Sequence, residues 1–160
     1  MAKSPEVGSP APDFTLPAVQ LVDGELVHSD LTLSAERGHP VVLAFYPGDE
    51  TAVCTKQLCS YSSGFEAFTD LGATVWGISP QGIESHESFA RKHQLRMPLL
   101  ADTGRTAVAA YGIGLGSMLR RAVFVVDADG VLRWKHVAAL GLTFRDVPTL
   151  TAQLELLKQP

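Results

Sequence analysis

Val41-Val42-Leu43-Ala44-Phe45-Tyr46 is an unbroken apolar run closed by Pro40 and Pro47, the pattern of a strand buried on both faces and central in its sheet. Beyond it the hydrophobic period lengthens. Val53, Leu58, Tyr61, Phe65 and Phe68 fall close to one helical face, with Thr51 placed to cap the helix start. Residues 73–79 return to a β-rich run, so strand, helix and strand predict a βαβ unit with parallel strands and a right-handed crossover. Upstream, the segment holding Pro5, Pro10, Pro12 and Pro17 reads as an extended arm, with residues 13–16 alternating like a short edge strand. Asp23-Gly24 signals a turn into a strand near 25–29. Downstream, residues 85–93 predict a charged helix that packs Phe89 and Leu95 and ends before Met97-Pro98. Residues 106–111 read as a short Ala-rich helix, and 122–127 with 131–137 as an antiparallel hairpin turned by Ala128-Asp129-Gly130. Val147, Leu150, Leu154 and Leu157 mark a closing amphipathic helix.

This order predicts an α/β protein with a central mixed sheet flanked by helices on both faces. A thioredoxin-like fold with an N-terminal β extension fits it. At 160 residues, 46% of them hydrophobic, the chain is the size of one domain with a substantial core, taken here as 1–160. It shows no basic start followed by an apolar run, and no stretch near the roughly 18 apolar residues of a membrane span. A soluble, cytoplasmic protein without membrane contact is the expectation. A net charge of −4 without blocks of Lys or Arg argues against a nucleic-acid partner. Two cysteines are too few for a disulfide framework, so any bridge between them is expected to be transient. No Cys-x2-Cys pair or histidine cluster completes the four ligands of a structural zinc site. Neither a metal nor a cofactor is expected.

The chemistry concentrates where the central strand breaks. Cys54 falls in the first turn of the helix predicted from Thr51, where free N–H groups and the positive end of the helix dipole favour the thiolate, the reactive form of sulfur. Cys59 lies five residues along the same helix. The run Phe45-Tyr46-Pro47-x-x-x-Thr51-x-x-Cys54 resembles the signature of the peroxiredoxins, thiol peroxidases on a thioredoxin fold. Thr55-Lys56-Gln57-Leu58-Cys59 narrows the resemblance to the branch called PrxQ, or bacterioferritin comigratory protein. Gly77-Ile78-Ser79 through Ser85-His86 to Pro98-Leu99-Leu100, and Arg121 through Asp127, look alike too, extending the resemblance from about Gly8 to the C-terminal helix.

The resemblance implies Cys54 as peroxidatic nucleophile, with Thr51, Pro47 and Arg121 around it. Peroxide cleavage needs donors aimed at both oxygens, and these must strengthen as negative charge grows on the departing one. The Cys54 amide, the Thr51 hydroxyl and a guanidinium could supply them, while Pro47, lacking an N–H, would shield the sulfur. Taken singly, Thr51 could be only a cap, Pro47 only a strand terminator, Arg121 only a surface residue and Cys54 an inert buried thiol. Their joint spacing favours catalysis. Arg121 is preferred to Arg120 because it stands three residues before Phe124, as in the family pattern, and strand alternation sends Arg120 to the other face.

Attack on peroxide leaves a sulfenic acid, which a second thiol condenses with to form a disulfide. Cys59 is the candidate within the chain. Residues five apart in an intact helix have Cα atoms roughly 8.7 Å apart, whereas a disulfide tolerates at most about 7 Å. The helix must therefore unwind locally. Ser60, Ser62, Ser63 and Gly64 are together roughly 2–2.5 kcal/mol poorer helix formers than alanines, which either eases unwinding or merely permits close packing. The resemblance implies a monomer that reduces hydrogen peroxide and organic hydroperoxides and is reset by thioredoxin or a similar dithiol. A disulfide oxidoreductase would normally use Cys-x-x-Cys, and a non-enzymatic redox sensor would oxidise once and stop.

Other signals are weaker. Gly112-x-Gly114-x-Gly116 lacks nucleotide-loop spacing and reads as a flexible loop, and Asp127-Ala128-Asp129-Gly130 as a turn rather than a calcium loop. His86 and His93 read as solvated or packing histidines, and Trp76 and Trp134 as core or sheet-surface residues. Pro80-Gln81 stands where the family often has an acidic residue.

Overall fold

The computed structural model describes residues 3–139 and 143–158. Its strands are β1 (Thr15–Val22), β2 (Glu25–Thr32), β3 (Val41–Phe45), β4 (Thr74–Ser79), β5 (Leu99–Ala101), β6 (Gly114–Leu115), β7 (Met118–Leu119), β8 (Ala122–Val126) and β9 (Leu132–Val137). Its helices are α1 (Ala52–Ser63), α2 (Phe65–Asp70), α3 (Ile83–His93), α4 (Thr106–Ala110) and α5 (Val147–Leu156). Seven strands form one mixed sheet in the order β2-β1-β5-β4-β3-β8-β9, and β6 pairs with β7 in a separate small hairpin. This is a thioredoxin-like α/β fold with an N-terminal β extension. β3 runs parallel to β4 and antiparallel to β8, so the apolar run read as central lies between two partners with every residue buried.

Alternation along the strands divides the core. Leu43, Phe45, Trp76, Ile78 and Phe124 pack beneath the sheet with Val108 and Tyr111 of the α4 region. Val42, Ala44, Val75, Val123 and Val125 face the other way, onto Cys54, Leu58 and Tyr61 of α1, Phe89 of α3 and Leu150 and Leu154 of α5. Gly77 of β4 lets α1 lie close, since a Cβ there would come within 2.9 Å of Leu58 Cδ1. The closing helix is capped by Asp146, whose side chain accepts the Thr149 N–H, and carries Pro148 in its first turn.

Several expectations change. Residues 13–16 do not form an edge strand: β1 starts at Thr15 and lies inside the sheet between β2 and β5. Pro17 is tolerated there because pairing with β5 involves only Ala18 and Val19, leaving no ladder on that side for the missing N–H to break. β2 extends to Thr32, its largely exposed residues hiding the strand from a hydrophobic reading. β5 was not expected as a strand; its three residues follow Pro98 and are all buried. The helix read through Phe68 is two helices, because the chain breaks at Gly64. The glycine-spaced loop is ordered by the β6–β7 hairpin, which Arg105 holds by donating to the carbonyls of Ser117 and Met118 at 2.9 and 2.8 Å.

Candidate active site

β3 delivers the chain to Tyr46 and Pro47 at the edge of the α1 face, and α1 begins five residues later. Thr51 occupies the cap position with extended backbone, yet its side chain does not cap the helix; the hydroxyl donates back to Gly48 O at 3.1 Å. In this conformation the hydroxyl proton is engaged by Gly48. With its proton engaged, the hydroxyl turns lone pairs to its other neighbours. The first helical bond runs from Thr55 N–H to Thr51 O at 2.8 Å, so the amides of Ala52, Val53 and Cys54 precede the ladder.

Cys54, in this first turn, is wholly buried. Arg121 Nη2 lies 3.1 Å from its sulfur, and Nη1 donates to Gln57 Oε1 at 2.5 Å. The parity of β8 explains the choice of arginine. Arg121 falls in step with Val123 and Val125 on the α1 face and is buried there, whereas Arg120 is exposed. Arg121 as a whole is buried, 3% exposed, so its charge acts on the sulfur through little water.

Gln57, not singled out from sequence, is one turn beyond Cys54 and fully buried. Its carbonyl accepts from Arg121, its amide donates to Tyr61 Oη at 3.2 Å, and Tyr61 donates onward to Arg145 O. The direction of this relay follows from its ends, since a guanidinium only donates and a backbone carbonyl only accepts. Burial pushes the Tyr61 hydroxyl up to about 12, keeping its proton in place for that bond. Sequence offered only a polar residue three positions after a candidate nucleophile, with nothing to show its burial.

Cys59 is also a free thiol, partly exposed on the same continuous helix. Burial, followed by the charge of Glu50, pushes its thiol above the ordinary value. Helical geometry keeps the two sulfur-bearing residues beyond bridging distance in this conformation.

Pro47, Thr51 and Arg121 together line a groove of about 410 Å³ that continues over Val53, Leu115 and Met118. Its surface is mostly apolar. His86, read as solvated or packing, is buried and bonded to Asp49 and to Leu100 O, while His93 contacts Glu50. Trp76 is a core residue and Trp134 is partly buried. Among the described residues, no cluster of three His, Cys, Asp or Glu is placed to hold a metal, and no helix is long and apolar enough to cross a membrane.

Residues 7–135 match the model of the AhpC/TSA family. The chloroplastic peroxiredoxin Q of Oryza sativa subsp. japonica is 39% identical over 130 residues, covering 79% of this chain and 57% of that protein. The chloroplastic peroxiredoxin Q of Sedum lineare is 40% identical over 129 residues, covering 79% and 66%. A protein named as a peroxiredoxin bcp in Coxiella burnetii is 34% identical over 146 residues, covering 85% and 92%. The chain thus spans between about half and two thirds of the plant relatives' length. Their chloroplastic names overturn the expectation of a cytoplasmic protein. In structure, Mycobacterium bovis AhpC superposes with a TM-score of 0.87 at 22% identity, covering 99% of this chain and 95% of that one. The reduced 2-Cys peroxiredoxin of Plasmodium vivax gives 0.85 at 23% identity, covering 95% and 96%. Both likenesses establish the fold.

Proposed function

The chain belongs to the AhpC/TSA family, in its peroxiredoxin Q and bcp-like branch, and from that membership and the geometry around Cys54 we propose that it is a thiol peroxidase. The observation that carries the reading is the buried guanidinium of Arg121, 3.1 Å from a sulfur in the first turn of a helix. Cys54 thiolate attacks one peroxide oxygen, the O–O bond breaks, and the departing alkoxide or hydroxide takes a proton to leave as alcohol or water. Arg121 and the Cys54 amide stabilise the charge that grows as the bond lengthens. Thr51, its own proton on Gly48, accepts the hydrogen of the incoming hydroperoxide, and Pro47 walls the sulfur from water. The mostly apolar groove beside them suits organic hydroperoxides as well as hydrogen peroxide.

Oxygen transfer leaves Cys54 as a sulfenic acid. The Cys59 thiolate then attacks that sulfur, hydroxide departs and is protonated to water, and a Cys54–Cys59 disulfide forms. This step requires the α1 turn to melt. A thioredoxin-type dithiol returns two electrons and two protons, freeing both thiols. The 160 residues act in this cycle as one domain and as a monomer.

Intact-mass measurement after one equivalent of peroxide tests the assignment. Wild type is expected to lose about two hydrogens, Cys59→Ser to gain oxygen, and Cys54→Ser to remain unchanged. A Cys54→Ser protein that still consumes peroxide at the normal rate would overturn it. Sustained turnover with thioredoxin and its reductase separates a peroxidase from a sensor that oxidises once.

A further inference from the structure

A buried acid–base pair lies behind the active-site loop, and the chemistry above does not use it. Asp49 stands midway between Pro47 and Thr51, and its side chain and that of His86 on α3 are 1% and 0% exposed. The carboxylate accepts from Tyr46 Oη at 2.7 Å and Ser85 Oγ at 2.7 Å, and His86 Nδ1 lies 2.6 Å away. His86 Nε2 is 3.0 Å from Leu100 O, which can only accept, so that nitrogen carries a hydrogen. A second proton is then held between Nδ1 and the carboxylate, and each group is tolerable in the interior because the other is there. The backbone joins in, the Asp49 N–H donating to Gln81 Oε1 at 3.0 Å. Glu50, held in the left-handed region at φ 64, reaches Lys92 and His93 on the same helix.

Every group bonded to Asp49 lies outside α1. Tyr46 directly follows the central strand, Gln81, Ser85 and His86 belong to α3 and its approach, and His86 is held in turn by Leu100 of β5. The loop that carries Pro47 and Thr51 is therefore anchored independently of whether α1 is folded. We propose that the Asp49–His86 pair is a positioning device that fixes loop 47–51 on α3. It holds Thr51 and the α1 entry in the geometry peroxide requires, and it confines the melting that closes the disulfide to residues beyond Cys54. The proposal rests on the peroxidase reading for its kinetic consequence, though its structural consequence stands apart.

The test compares wild type with His86→Leu, Ser85→Ala and Asp49→Asn, measuring the peroxide step and disulfide closure separately by rapid mixing. Hydrogen exchange is followed at amides 48–63 in the reduced protein and after diamide closes the bridge. His86→Leu should slow the peroxide step by about 10- to 100-fold, the scale of a misplaced reacting group, without slowing disulfide closure, and amides 48–53 should lose protection. Asp49→Asn keeps an acceptor for Tyr46 and offers an N–H to His86 Nδ1 but no acceptor to Ser85 Oγ, and should slow the peroxide step far less than His86→Leu, by no more than Ser85→Ala does. Ser85→Ala, which removes one bond, should show the same split in smaller measure and carries the test if His86→Leu does not fold. Equal slowing of both steps, or an unchanged peroxide step, overturns the proposal. Wild type that fails to consume peroxide sinks the peroxidase reading instead. The diamide-closed protein still decides on the clamp: a protected loop beside an opened helix supports it, and loop and helix opening together refute it.

Discussion

Arg121 meets two demands with one planar group, a hydrogen on the Cys54 sulfur and another on Gln57. A lysine ammonium keeps the charge but cannot hold that fork. Arg121→Lys should therefore lower the second-order rate constant for peroxide by about 10²-fold, typical of losing a preorganised donor, and stopped-flow fluorescence will measure it. Gln57→Leu removes the acceptor of Arg121 and the donor to Tyr61 together, leaving buried polar groups to find new partners. It should cost about 1–3 kcal/mol in urea unfolding and slow the peroxide step with it. At Cys59 the raised thiol means that little thiolate exists at neutral pH. Disulfide closure after peroxide should thus speed up as pH rises through and beyond the ordinary thiol range. Glu50→Gln removes the second cause of that rise, lowers the thiol toward its ordinary value and should shift the closure profile to lower pH. A profile that does not move with Glu50→Gln would show that closure occurs only after Cys59 has left this surrounding. Of these residues Arg121 was singled out from sequence by its spacing to Phe124, and it lies against the Cys54 sulfur. Gln57 was not, because a sequence displays a polar residue on a helix without displaying the arginine 64 positions away that it serves.

At the scale of the element, the proposed cycle asks α1 to be folded to present Cys54 to Arg121 and unfolded to let Cys59 reach it. Its serine-rich end has specific partners: Ser62 Oγ accepts the Arg96 N–H at 2.9 Å, and the Gly64 N–H returns to Ser60 O. Gly64 itself has an ordinary backbone conformation, but a Cβ there would stand 2.8 Å from Val147 Cγ2 of α5. The packing explanation of that glycine thus has a concrete basis, and it coexists with weak helix propensity rather than replacing it. Gly64→Ala should destabilise by about 1–3 kcal/mol, as overpacking does, even though alanine is the better helix former. Adding Val147→Ala should recover much of the loss, and a thermal-melt double-mutant cycle will read the coupling. The helix break at Gly64 escaped the periodic reading because Phe65 and Phe68 stay in phase with α1. The unwinding itself has a separate check: amides 54–63 should lose hydrogen-exchange protection on oxidation, and equal protection in both states would remove the idea.

For the whole molecule, the parts that were legible share a cause. β3, β4, β8 and their packed helices are built from residues whose burial is written in their own type, so periodicity finds them. The Asp23-Gly24 turn marked the start of β2, but the strand's polar face hid its full length. The interior place of β1 and the existence of β5 depend on pairing with each other across about 80 residues, with Pro17 and a three-residue strand obscuring them. The groove beside Cys54 belongs to the same class. It exists only where the ends of β3 and β8, the first turn of α1 and the β6–β7 hairpin converge. Leu115 and Met118 stand 48% and 57% exposed on its rim, on a hairpin that Arg105 holds in place. Apolar side chains so placed contribute little to folding, and an occupant of the groove would bury them. If that is the tail of an organic hydroperoxide, the effect of polarity there depends on the substrate. Met118→Gln should lower the ratio of cumene hydroperoxide to hydrogen peroxide rate constants by about tenfold, the scale of a lost apolar contact. If instead a second copy covers the rim, sedimentation velocity will show concentration-dependent association that Met118→Gln weakens, and the ratio will stay where it was. An unchanged ratio together with a strictly monomeric wild type would show that neither occupant uses this surface.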